Sequence, residues 1–249
     1  MEGKISIKPE PILNLGDFQI TNSYLTSLIV TLILVFAIFW YRKQLSLKSD
    51  QRSAVFYFIH FINKAIYDFT VSLFGQQKAE IFFPVIASFF VFILIQNWFG
   101  LLPGVGSISI KVIEEGEPHK YHLLRGATAD LNLTLALAIF SVFLIQYYGI
   151  KILGFKEYLK KFINLANPIA FFTGVLEIIS EFSKIISFAF RLFGNIFAGE
   201  VMIAIIAGLM PVLLSFPFLV LEVFVGLIQA LVFSMLTAVF INSAIQKHH

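Results

Sequence analysis

Apolar residues fill the chain in long blocks, and charge collects in the short stretches between them. A spanning helix needs about 20 mostly apolar residues. Residues 24–41 carry no charge and end in Trp40 and Tyr41, with Arg42 and Lys43 directly after, an aromatic anchor followed by a basic flank, which sets a first span at 24–43. Residues 50–74 are patterned differently. His60, Lys64 and Asp68 recur every four residues with Asn63 and Tyr67 beside them, while Phe56, Ile59, Ile62, Ile66 and Phe69 lie mostly elsewhere on the wheel. This spacing predicts an amphipathic helix lying at the interface or against a bundle. Second and third spans fall within 81–150, at 81–102 and 127–150, around a polar loop 104–126 that holds Glu114, Glu115 and Glu117. Two longer apolar segments follow, 168–210 and 217–245, with Pro211 and Pro217 bracketing the turn between them. The pattern predicts an all-α, polytopic membrane protein forming one domain over 1–249. It has an N-terminal segment 1–23, about five membrane-embedded helices, one amphipathic interfacial helix and a long C-terminal helical hairpin over 168–245.

Composition sharpens this reading. The chain is 58% hydrophobic and 13% charged, with 30 phenylalanines. A soluble domain is about half apolar and about a quarter charged, so too little polar surface remains here to face water. The net charge of +3 is not gathered into a nucleic-acid patch, and no cysteine is present for disulfides or thiolate metal sites. Arg42, Lys43, Lys48 and Arg52 follow the first span, Lys151, Lys156, Lys160 and Lys161 follow the third, and Lys247 lies near the end. Basic loops stay on the cytoplasmic side, which puts the N-terminus outside and the C-terminus inside.

The informative exceptions are polar groups inside the C-terminal segments. On one helix, Glu177, Ser180, Lys184, Ser187, Arg191 and Asn195 share a stripe about 80° wide and about 27 Å long. A mid-membrane arginine costs at least about 2.5 kcal/mol on insertion scales, so the stripe needs protein or water against it. Glu200 lies on the far side of the same helix, and Gly194 and Gly199 permit bending or close helix approach. In the last segment Glu222 and Gln229 fall about 20° apart, and an antiparallel hairpin brings them toward Asn195 and Glu200.

Plainer roles are open for each group. Arg191 can neutralise a structural acid, Glu200 or Glu222 can be a neutral core acid, and Lys184 can pair locally with Glu181. Gln229 can be a packing group, and His60 with Lys64 and Asp68 a wet helix face. The histidines of 119-HKYH-122 have no further obvious metal ligands, and His248-His249 reads as a polar tail. Taken together, intramembrane ionisable residues point to an ion or proton pathway. A secondary transporter predicts inverted repeats, and none is visible. A pure scaffold predicts that these groups are replaceable by apolar ones. No phosphate-cradling glycine loop is present for nucleotide.

The stretches 191-RLFGNIFAGE-200 and 221-LEVFVGLIQALVF-233, with 94-LIQNWFGLLPG-104 and 127-ATADLNLT-134, resemble subunit a of the F-type ATP synthase over nearly the whole chain. The resemblance implies a stationary membrane subunit whose C-terminal hairpin packs on a rotating c-ring and forms two offset proton half-channels. Its expected partners are that ring, the peripheral-stalk b subunits, the rest of the complex, protons and lipids, with no nucleic acid, cofactor or metal. It implies that Arg191 is the electrostatic gate between the half-channels, with Asn195 and Gln229 close to it. Glu200 and Glu222 would line the outer half-channel and Glu177 the cytoplasmic side, with Lys184 and Ser187 as neighbours. A guanidinium does not deprotonate, so it favours the ionised ring carboxylate and repels free cations without relaying protons itself. The implied location is the bacterial plasma membrane rather than the mitochondrial inner membrane. A sodium-driven version of the same machine is the alternative. The chain departs from the family by having two glutamates where a glutamate and a histidine are common, and Ile185 where proline often follows the base.

Overall fold

In a computed structural model, residues 9–15, 18–48, 51–102, 104, 105, 108–114, 117–163, 167–209 and 215–246 are described. Seven α-helices and two short β-hairpins make up the described chain. The helices are α1 (Asn22–Leu45), α2 (Ala54–Phe74), α3 (Gln76–Phe99), α4 (Leu131–Leu153), α5 (Phe155–Phe162), α6 (Pro168–Leu209) and α7 (Ser215–Ala244). Five of them, α1, α3, α4, α6 and α7, are long and apolar enough to cross a membrane. The all-α polytopic class therefore stands, and α2 lies against α3 and α7.

Three details differ from the sequence expectation. The segment before α1 forms an antiparallel hairpin of β1 (Pro11–Leu15) and β2 (Phe18–Thr21), and the acidic loop forms β3 (Ser109–Glu114) and β4 (Glu117–His122). The lysine-rich connection folds into α5. Pro217 does not border the turn but sits in the first turn of α7, where its missing N–H leaves no helical bond unmade. Pro211, the side chain of His119, Lys247, His248 and His249 fall outside the described residues.

Short polar contacts fix how the helices meet. Asp130 caps α4 by accepting from the Asn132 amide at 2.9 Å and takes the Ser23 hydroxyl of α1 at 2.6 Å. At the end of α3, Asn97 donates to the Gly226 carbonyl of α7 at 2.9 Å and Trp98 donates to that of Val223 at 3.0 Å. Gln96 reaches Ser27 of α1 at 3.2 Å. The 94–104 and 127–134 stretches thus serve as joints of the bundle.

Lipid tails are as apolar as leucine, so membrane helices associate through close packing and small residues rather than through burial from water. Ala138, Ala189, Ala230 and Ala238 are fully buried accordingly. Around them, Phe89, Ile93, Phe188, Leu192 and Phe233 from α3, α6 and α7 form one core cluster, with the Phe188 and Phe233 rings 4.9 Å apart. A second cluster joins Phe82, Ile86, Ile145, Tyr158 and Ile241 at the opposite end from the β-hairpins.

The 42 residues of α6 extend about 63 Å, roughly twice a hydrocarbon core of about 30 Å. Exposed Ile169, Phe171 and Phe172 near one end and Ile205 near the other are apolar. Both ends therefore need apolar surroundings, which a helix of this length can find in a bilayer only by inclining or bending.

Candidate functional site along the C-terminal hairpin

The inward and outward faces of α6 alternate sharply around Arg191. Phe188, Ala189 and Leu192 are buried in the core, whereas Phe190, Arg191 and Asn195 are exposed. Arg191 donates to the Ser187 hydroxyl one turn away at 3.3 Å. Among the described residues no carboxylate comes within ion-pair distance of it. A permanent cation thus stands exposed on α6, bordered by α7 on one side but with no acid against it among the described residues. Ser180, Lys184, Ser187 and Arg191 line a groove of about 250 Å³ together with Ser183, Leu236 and Phe240. Four of the six residues of the polar stripe therefore share one cleft, while Glu177 and Asn195 lie outside its lining.

Toward the end that holds α5, the polar groups are paired. Lys184 donates to Glu181 at 2.7 Å, the local i, i+3 pair, and its ammonium sits 4.8 Å over the Phe240 ring. Lys161 of α5 pairs with Glu177 at 2.7 Å. Tyr158 is buried in α5 and donates to Gln146 of α4 at 2.5 Å. Burial first, then the nearby Glu181 and Glu177 carboxylates, push its phenol well above the ordinary tyrosine value. At the far end of α1, Tyr41 and His60 meet at 3.0 Å, so His60 ties two helices rather than only wetting a surface.

Toward the β-hairpin end, the hairpin of α6 and α7 brings Glu222 against Gly199, where a side-chain carbon would run into the carboxyl group. Glu222 is buried, as is Gln229 two turns further along α7. Gly199 is thus used for close approach, whereas a side-chain carbon added at Gly194 would meet open space. Glu200 does not face Arg191. Its Oε2 accepts from Arg125 Nη2 at 3.1 Å and Nε at 3.3 Å. The sequence reading does not single out Arg125. Seventy-five positions separate the partners, and no periodicity along one helix relates them. The only signal is an arginine two positions before the 127–134 motif.

Fold and site together define an integral membrane protein of helical type, with ionisable groups distributed along one pair of long helices. The chain matches the family described as ATP synthase A chain over residues 24–242, and it belongs to that family. It is similar to the ATP synthase subunit a of Moorella thermoacetica, 29% identical over 243 residues that cover 97% of this chain and 99% of that protein.

Proposed function

We propose that this chain is the stationary ion-path subunit of an ATP synthase membrane sector. It forms two offset half-channels against a ring of small subunits and couples proton flow to ATP synthesis. The observation that carries the reading is the uncovered Arg191. It lies in a membrane helix, exposed, with no acid of its own chain to neutralise it among the described residues. Leaving such a group in lipid costs several kcal/mol, so a partner bearing a complementary charge belongs on that face. A ring carboxylate meets the need: neutral while facing lipid, ionised while opposite the guanidinium.

Asn195 and Ser187 extend the same face by one turn in each direction. The groove from Arg191 toward Lys184 and Ser180 supports a water-accessible route to the α5 end, where Glu177 pairs with Lys161 about one turn beyond Ser180. Glu200, Glu222 and Gln229 line the route from the other end. The Lys and Arg residues at the end of α1 and in the α1–α2 connection, with Lys151 of α4 and the lysines of α5, support a cytoplasmic α5 end and an outer β-hairpin end, in a bacterial plasma membrane on this reading. Peripheral-stalk b subunits complete the set of partners.

The decisive test uses the assembled complex in vesicles. Arg191→Ala is expected to abolish ATP-driven proton uptake while soluble ATP hydrolysis survives. Coupled pumping in that variant would overturn the reading. Running the wild type with and without sodium at fixed pH separates a proton path from a sodium path, because only the latter follows the sodium concentration.

A further inference from the structure

Two acids meet α6 at neighbouring positions, and the structure treats them oppositely. Glu222 packs its carboxyl onto Gly199, and among the described residues no cation lies within ion-pair distance of it. Glu200, the next residue along α6, is held by two N–H groups of Arg125. The holder is itself built in. The Arg125 amide donates to Thr26 Oγ1 of α1 at 3.3 Å. Gly126 backs onto Gly100 so closely that a side chain at Gly100 would come within 2.9 Å of its Cα. Ala127, Thr128 and Ala129 are buried, and Asp130 is fixed to Ser23. The Arg125 side chain is only 10% exposed, and its guanidinium carbon stands 6.0 Å over the Phe197 ring, one turn before Glu200.

We propose that Arg125 is a positioning residue that takes Glu200 out of the proton relay: Glu200 is the fixed counter-ion of Arg125, and Glu222 alone takes up and releases the proton at this end. The proposal rests on the ion-path reading above. Its physical content is compensation. Arginine keeps its charge when buried, so deleting either partner leaves an unbalanced charge beside the path, whereas deleting both leaves none. A proton carrier behaves differently, since its loss is not repaired by removing a neighbour.

The experiment measures ATP-driven and passive proton flux per assembled complex in vesicles. Arg125→Gln and Glu200→Gln are each expected to lower flux by several-fold, since the Arg125 side chain is buried while that of Glu200 is 36% exposed, and either deletion leaves one charge uncompensated beside the path. The double variant is expected to recover to within about threefold of wild type, the usual signature of a cancelled pair. The charge-swapped variant, Arg125→Glu with Glu200→Arg, is expected to conduct as well, although an arginine at 200 cannot carry a proton. Flux in assembled double and swapped variants as low as in Glu200→Gln would overturn the proposal, because Glu200 would then be a carrier. Assembly of Glu200→Gln but of neither compensated variant also counts against it. Glu222→Gln is expected to stop flux in every background. If Glu222→Gln and Arg191→Ala both conduct normally, the ion-path reading itself has failed, not only this refinement.

Discussion

At the scale of single residues, Gly199 separates stability from function. Adding a methyl group to a helical glycine ordinarily gains about 1 kcal/mol of helix propensity. Here the three atoms nearest the new carbon all belong to the Glu222 carboxyl group, and the far end of a flexible side chain can swing aside. Gly199→Ala is therefore expected to assemble with unchanged or slightly raised thermal stability while its proton flux falls toward that of Glu222→Gln. A melting curve and a flux assay on the same preparation check both halves. A drop in stability with normal flux would show that Glu222 has no need of its present position. Arg191 presents the converse case: its bond to Ser187 is weak and local, so its removal is a loss of charge rather than of packing.

At the scale of elements, α5 shows how a segment too short to persist alone is fixed by its neighbours. Eight residues do not hold a helix in water. Tyr158 fits against Gly149 of α4, where any side chain would collide with its ring, and Lys161 ties to Glu177 of α6. The raised phenol value gives this docking a pH dependence. Because the docked tyrosine holds its proton more tightly than a free one, its contribution is fully present below the ordinary value of about 10 and is lost as pH rises above it. Hydrogen exchange at 155–162, taken relative to the intrinsic amide rate at each pH, is expected to lose protection above that pH in wild type. In Tyr158→Phe it is expected to be faster at neutral pH by a factor reflecting about 1 kcal/mol for the missing hydrogen bond. The alkaline change should also be absent from that variant. This element also marks what the sequence could and could not disclose. Blocks of apolar residues announced the spanning helices because the bilayer demands a fixed length. The i, i+3 and i, i+4 spacings announced the Glu181–Lys184 pair and the row through Ser187, Arg191 and Asn195. Elements of four to eight residues carry no such period: β1 to β4 and α5 were hidden for that reason. The partners Arg125 and Glu200, or Glu222 and Gly199, meet only once the helices are packed.

At the scale of the whole molecule, exposure has two meanings in a membrane protein, and polarity distinguishes them. Phe36 on α1 and Phe182 on α6 are well exposed and apolar, as lipid contact requires. Arg191 and Asn195 are exposed and polar, which lipid does not tolerate cheaply. Among the described residues the other charges of α6 and Glu222 of α7 are held by an ion pair or by burial, so the stretch from Ser187 to Asn195 is where the proposed partner belongs. The chain has no cysteine, which makes the point directly measurable. Single cysteines placed at Asn195, Ser187 and Phe36 of the assembled complex should sort by neighbour. With a short bifunctional reagent, and matched cysteines on the small ring subunit, Asn195→Cys and Ser187→Cys are expected to yield a cross-linked product, and Phe36→Cys none. Cross-linking from Phe36→Cys alone would mean that the rotor sits against α1. The guanidinium at Arg191 would then need another partner, and the electrostatic argument for the gate would lose its footing.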